Sequence, residues 1–68
     1  MKVNDYIYEF VAASVGERIT STRLYQHVAS KISVAPDTCS RKLRALRSRG
    51  LVNYRSEGKG EFTILSVN

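Results

Sequence analysis

Apolar side chains recur at Val3, Tyr6, Ile7, Phe10 and Val11. The spacing i, i+3, i+4, i+7, i+8 draws one stripe along a helix and predicts the first element. Asn4 is placed to cap that helix by accepting a free backbone N–H. Asp5 puts negative charge at its positive end, and Gly16 is positioned to stop it. The same phase turns Tyr6 inward and Tyr8 outward. Arg18-Ile19-Thr20 is short and holds β-branched residues, which predicts a brief strand. Thr20 or Ser21 then opens a second helix with core positions Leu24, Val28 and Ile32, and with Tyr25 and Ala29 beside them. Ser30-Lys31-Ile32-Ser33 offers no glycine or proline to end it. Pro36 suits the first position of a third helix, where its missing N–H costs nothing. In that helix Cys39, Leu43 and Leu46 recur at i, i+4, i+7 as a narrow buried face. Gly50 is the expected stop, with Arg47 and Arg49 in the last turn. Residues 51–55 and 61–66 alternate like strands, and Ser56-Glu57-Gly58-Lys59-Gly60 reads as the turn between them. The pattern therefore predicts an α+β chain: helix, short strand, two helices and a C-terminal β-hairpin.

Length and composition narrow the class. The chain has 68 residues, room for a single domain over 1–68. A chain this short buries only about 60% of its unfolded surface, and its core supplies about 3–5 kcal/mol of net stability. That disfavours an enzyme with a deep, water-excluding pocket and favours a compact binding module that self-association would stabilise. The 43% hydrophobic fraction is enough for a core. One cysteine cannot form an intrachain disulfide. The longest apolar run, Phe10-Val11-Ala12-Ala13, is too short for a membrane span or a signal peptide. The expected location is intracellular, cytoplasmic or nucleoid-associated, with no membrane partner.

The net charge is +5, and its distribution says more than its total. Residues 1–17 set Lys2 against Asp5, Glu9 and Glu17. Residues 18–36 carry Arg18, Arg23 and Lys31 with no acid. Residues 37–68 carry Arg41, Lys42, Arg44, Arg47, Arg49, Arg55 and Lys59 against Asp37, Glu57 and Glu61. The acidic start and basic remainder give the electrostatic footprint a direction. On the third helix, with Cys39 at the origin, Leu43 falls at about 40° and Leu46 at about 340°. Arg41, Arg44 and Ser48 fall on the opposite face, with Arg47 on one flank and Lys42 and Arg49 on the other. Guanidinium groups bond phosphate and the guanine major-groove edge in bidentate fashion. A face made only for solubility usually mixes signs. Lys59 between two glycines is suited to follow a sugar–phosphate backbone, with Arg55 at the strand end below it. The spacing does not match a phosphate-binding P-loop, because Gly60 stands where Ser or Thr is needed.

Other chemistry is not signalled. His27 and Cys39 are single and lack the partners of a metal site. Cys39 reads as a core residue and His27 as a boundary residue of the second helix. Tyr6, Tyr8, Tyr25 and Tyr54 read as core and boundary aromatics. No nucleophile, base and orienting acid form a signature. No cofactor, metal or small-molecule substrate is expected.

The order of elements resembles a family. Thr20-Ser21 opens the second helix, residues 36–46 form the third, and Gly50-Leu51-Val52 leads into a hairpin with a basic tip. This is similar to the winged helix-turn-helix domain. The segment from Ser40 to Val52 resembles the recognition helix, helix stop and first wing strand of many prokaryotic transcription regulators. The resemblance implies a sequence-specific double-stranded DNA-binding protein acting in transcription regulation. It places Asp37, Thr38, Ser40 and Arg41 nearest base edges in the major groove, with Lys42 on the flank and Arg44, Ala45 and Arg47 following. It places Ser21, Thr22 and Arg23 on phosphate, and Lys59 with Arg55 on the adjacent backbone or minor groove. One module reads a short site, so a homodimer is expected. The stretch from Val28 to Ala35 is longer than the usual tight turn, either because the second helix is extended or because the turn is a loop. Two alternatives stand beside this reading: a winged-helix module docking on an acidic protein, and an RNA or architectural DNA binder without sequence preference.

Overall fold

A computed structural model describes residues 3–68; Lys2 of the amino-terminal charge balance lies outside them. The elements are α1 (Val3–Ala12), β1 (Arg18–Thr20), α2 (Ser21–Ala29), α3 (Pro36–Ser48), β2 (Val52–Gly58) and β3 (Glu61–Val67). The strands form one antiparallel sheet in the order β1-β3-β2. The described residues thus form an α+β fold of three helices and a three-stranded antiparallel sheet.

Every element contributes to one core. Ile7 and Val11 come from α1, Ile19 from β1, Leu24 and Val28 from α2, and Cys39, Leu43 and Leu46 from α3; Val52, Tyr54, Phe62 and Ile64 come from the hairpin. The periodic stripes read from α1 and α3 are the buried faces. On α1, Val3, Tyr6 and Phe10 pack at the margin of the core rather than inside it.

Thr20 is the cap of α2: its extended backbone precedes the helix and its Oγ1 accepts from Arg23 N at 3.1 Å. The helix stops at Ala29, and residues 30–35 are a turn and loop, which resolves the open choice over that stretch. Ser30 Oγ donates to His27 O at 2.6 Å, a side-chain bond that competes with helix continuation. Ile32 is therefore not a helical core position. It is partly buried in the loop and packs against the core with Val34.

Two further expectations are corrected. Asn4 does not cap α1, because the helix is already under way at Val3; its Oδ1 is buried without a hydrogen-bond partner among the described residues. Tyr8 does not face away. It is half-buried against the core, and its hydroxyl donates to the carbonyl of Asn68, the residue that follows β3. The hairpin is also longer and its turn tighter than the glycine pattern suggested. Ser56 pairs with Phe62 and Gly58 with Glu61, leaving Lys59 and Gly60 as the turn.

At the end of α3 the chain reverses through a Schellman motif. Leu51 N donates to Leu46 O at 3.1 Å and Gly50 N to Arg47 O at 3.0 Å, with Gly50 at φ +79°. Nothing lies within 4 Å of the place a Gly50 β-carbon would take, so the requirement is purely conformational. Gly50→Ala is expected to cost about 1–2 kcal/mol. It should lower the urea midpoint at constant m-value; an unchanged midpoint contradicts this reading of the turn.

Candidate nucleic-acid interface

Pro36 begins α3 after an extended Ala35, and Asp37 sits in the first turn. With Cys39, Leu43 and Leu46 buried, the rest of the helix faces outward. Asp37, Arg41, Lys42, Arg44, Ala45 and Arg47 are exposed, and Thr38 and Ser40 are half-buried. Arg41 Nε lies 3.4 Å from Asp37 Oδ2, four residues back, with both side chains mostly in solvent. Such a pair is worth less than about 1 kcal/mol, enough to bias Arg41 towards the helix start without consuming its charge. Arg47 is used differently. Its guanidinium lies 4.4 Å from the centre of the Tyr54 ring, a cation–π contact that ties α3 to β2. Lys42, Arg44 and Arg49 make no ion pair among the described residues, and the same holds for Arg23, Lys31 and Lys59.

The outer sheet surface is self-neutralised. Arg18 Nε pairs with Glu61 Oε1 at 3.0 Å. Arg55 donates through Nε and Nη2 to Glu57 Oε2 at 3.2 and 2.8 Å, and the Thr63 hydroxyl donates to the same oxygen. Hydrogen bonds from Arg55 and then Thr63 hold the Glu57 carboxyl below its ordinary range, against a smaller opposing effect of burial. Arg55, read from the sequence as a cation under the hairpin tip, thus has an internal counter-ion. Lys59 at the tip has none among the described residues.

The start of α2, the middle of α3 and the end of the hairpin enclose an open cleft of about 190 Å³. Leu24, Leu43, Tyr54 and Phe62 form its floor. Ser21, Ser40, Ser56 and Arg44 supply polar walls, and Gly58, Gly60 and Glu61 supply the rim. The three hydroxyls and the Arg44 guanidinium make no hydrogen bond with the described residues. The fold therefore brings Ser21, Ser40 and Arg44 together beside the turn that carries Lys59. Thr22 and Arg23 lie exposed on the first turn of α2. By helical phase, Thr38, Lys42 and Ala45 lie on the flank of α3 turned away from this cleft.

Ser56 was missed from the sequence. A signal existed: Val52, Tyr54 and Ser56 share one face of a strand by period two, but the neighbouring glycines assigned Ser56 to the turn. Also missed was the contact that docks the hairpin, in which Ser21 N donates to Gly60 O at 2.8 Å.

Elsewhere, His27 Nε2 lies 3.2 Å from Glu9 Oε1 and its ring is 5.0 Å from that of Phe10, joining α2 to α1. Cys39 is buried, which raises its thiol pKa. Among the described residues no group of three or more His, Cys, Asp and Glu is placed to hold a metal ion. No described helix is long and apolar enough to cross a membrane. No protein-family model, curated protein or solved structure matches the chain.

Because Glu57 ionises below its unfolded value of about 4.3, its stabilisation is complete above that pH and is lost as pH falls through the folded value. Glu57→Gln is expected to be less stable than the parent near neutrality and to converge on it in acid. Urea midpoints along a pH series check this; a constant difference at every pH contradicts it.

Proposed function

We propose that the protein is a winged helix-turn-helix module that binds double-stranded DNA sequence-specifically and acts in transcription regulation. The observation that carries this reading is the separation of its charges. Glu57 and Glu61 are each engaged by an arginine of the sheet. Arg44 and Lys59, together with Arg23 and Lys42, keep exposed charges without an internal counter-ion among the described residues. Such cations neutralise phosphates and release condensed counter-ions.

In this reading α3 enters the major groove with its first turns foremost. Asp37, Thr38, Ser40 and Arg41 face base edges, and Asp37 steers Arg41. Arg44, with Ser21, Thr22 and Arg23, meets one strand's phosphates, while Lys42 on the other flank meets the opposite strand. Ala45 and Arg47 follow along the groove, and Lys59 meets the backbone beside it. The helix order and the β1-β3-β2 sheet are compatible with this assignment.

Selection from a random duplex pool, followed by salt titration on the enriched site, tests the reading. An enriched motif with a steep salt slope supports it. Uniform binding to all duplexes moves the architectural reading ahead, and no binding at modest salt moves protein docking ahead. Arg41→Ala is expected to cost about 1–3 kcal/mol on the preferred site and to relax selectivity at one or two positions. Arg44→Ala should weaken all sequences together and reduce the salt slope by about 0.9. An Arg41→Ala chain that stays folded with an unaltered ratio of selected to random binding would falsify the base-reading role.

Specificity on a genome favours two half-sites, so a homodimer on an inverted repeat is part of the proposal. Sedimentation of the saturated complex should give two chains per duplex; one chain on a short asymmetric site refutes the dimer.

A further inference from the structure

β1 ends at Thr20, opposite Glu61 of β3. The next hydrogen bond beyond that pair runs from Ser21 N to Gly60 O at 2.8 Å. Ser21 is the first residue of α2, and its amide is one of four that a helix leaves without an internal partner. Thr20 Oγ1 satisfies the Arg23 amide, and the hairpin turn satisfies that of Ser21. The approach is close on the side-chain side as well: a β-carbon on Gly60 would lie 3.3 Å from Ser21 Oγ, and Gly60 holds φ +74°. Gly58 and Gly60, which flank Lys59, line the same cleft as Arg44.

The geometry points to Ser21 and Gly60 as a positioning pair. Their backbone hydrogen bond fastens the turn to α2 and so fixes Lys59 relative to the cleft that Arg44 lines. This rests on the nucleic-acid reading above and adds to it a device that sets the spacing of two phosphate contacts. A two-residue turn that contains one glycine and follows another is otherwise free to swing, and a swinging lysine loses ordering entropy on every contact it makes. A tethered tip presents its charge at a defined place.

Two substitutions at one position separate the amide from the hydroxyl. Ser21→Pro removes the N–H. Proline is accepted at the first helical position, and Thr20 already has the extended backbone that precedes proline, φ −109° and ψ 154°. Ser21→Ala keeps the N–H and removes only the hydroxyl. Backbone order parameters at Lys59 and Gly60 should stay near about 0.85 in the parent and in Ser21→Ala, and fall below about 0.6 in Ser21→Pro. On a duplex of arbitrary sequence, Ser21→Pro should lose about 0.9 of the log–log salt slope relative to Ser21→Ala. Adding Lys59→Ala to Ser21→Pro should then lose no more.

A check on the parent needs no variant. The Ser21 amide should exchange with solvent more slowly than that of Thr22, which has no partner among the described residues. Equal exchange at the two amides, or a tip still ordered in Ser21→Pro, overturns the tether. A loosened tip with the salt slope of Ser21→Ala overturns the positioning role while leaving nucleic-acid binding intact. A parent that binds no duplex retires the nucleic-acid reading and this role with it.

Discussion

A seam of three side chains, Cys39, Leu43 and Leu46, holds α3 to the rest of the molecule. Burying one leucine side chain contributes about 1.5–3 kcal/mol. Two unit charges 4 Å apart in water repel by about 1 kcal/mol, and by less once salt screens them beyond about 8–10 Å. The seam therefore outweighs the mutual repulsion of the cations displayed on the other side of the helix. Because it is only three positions wide, it leaves the remaining circumference to polar and charged residues. Gly50 turns the chain back under α3, and β2 delivers Tyr54 beneath Arg47. The helix is thus fixed on the flank next to the hairpin, while its front stays bare.

The division of charge follows from where acids are available. Glu57 and Glu61 belong to the hairpin and lie near Arg55 and Arg18, so that surface is closed electrostatically. No acid lies between Asp37 and Glu57 in the chain, and among the described residues Asp37 pairs with Arg41 alone. Residues from Lys42 to Arg49 therefore keep their field. A single-sign surface of this kind costs self-repulsion in the free protein and returns it on meeting a polyanion. The cleft sharpens the contrast, since its Ser21, Ser40 and Ser56 hydroxyls are ready donors beside Arg44 over an apolar floor.

What was legible in the sequence was local. The α1 stripe, the α3 seam and Gly50 each declare themselves within a few residues, because helical periodicity and the Schellman turn are short-range constraints. Pro36 and Thr20 mark helix starts for the same reason. The failures lie at longer range or at element ends. Helical phase alone turns Tyr8 outward, but its partner is Asn68, sixty residues away. Asn4 looked like a cap from residue type, yet the helix begins before it. The glycine after Glu57 reads it into the turn, and the cross-strand partner Thr63 that fixes its role sits on the other arm of the hairpin. Of the candidate site, the cationic face of α3 could be read from the helical angle, whereas Ser56 and the docking of the hairpin on α2 could not.

That docking shows how a chain with a small core builds a defined surface. Rigidity normally comes from burial, and the hairpin tip buries little: Gly58, Lys59, Gly60 and Glu61 are all exposed. Helix geometry supplies a substitute. Every helix leaves amides at its start that need acceptors, and a strand running directly into a helix, as β1 runs into α2, places those amides at the sheet edge. The turn that passes there offers a carbonyl. One bond then satisfies a group the helix could not and restrains a turn the core does not reach. Glycine at position 60 is required by its φ of +74°, and a β-carbon there would also press to 3.3 Å from Ser21 Oγ. The order of elements and the position of Lys59 are consequently a single constraint: the lysine stands where it does because β1, which pairs with the strand that follows the lysine, runs directly into a helix.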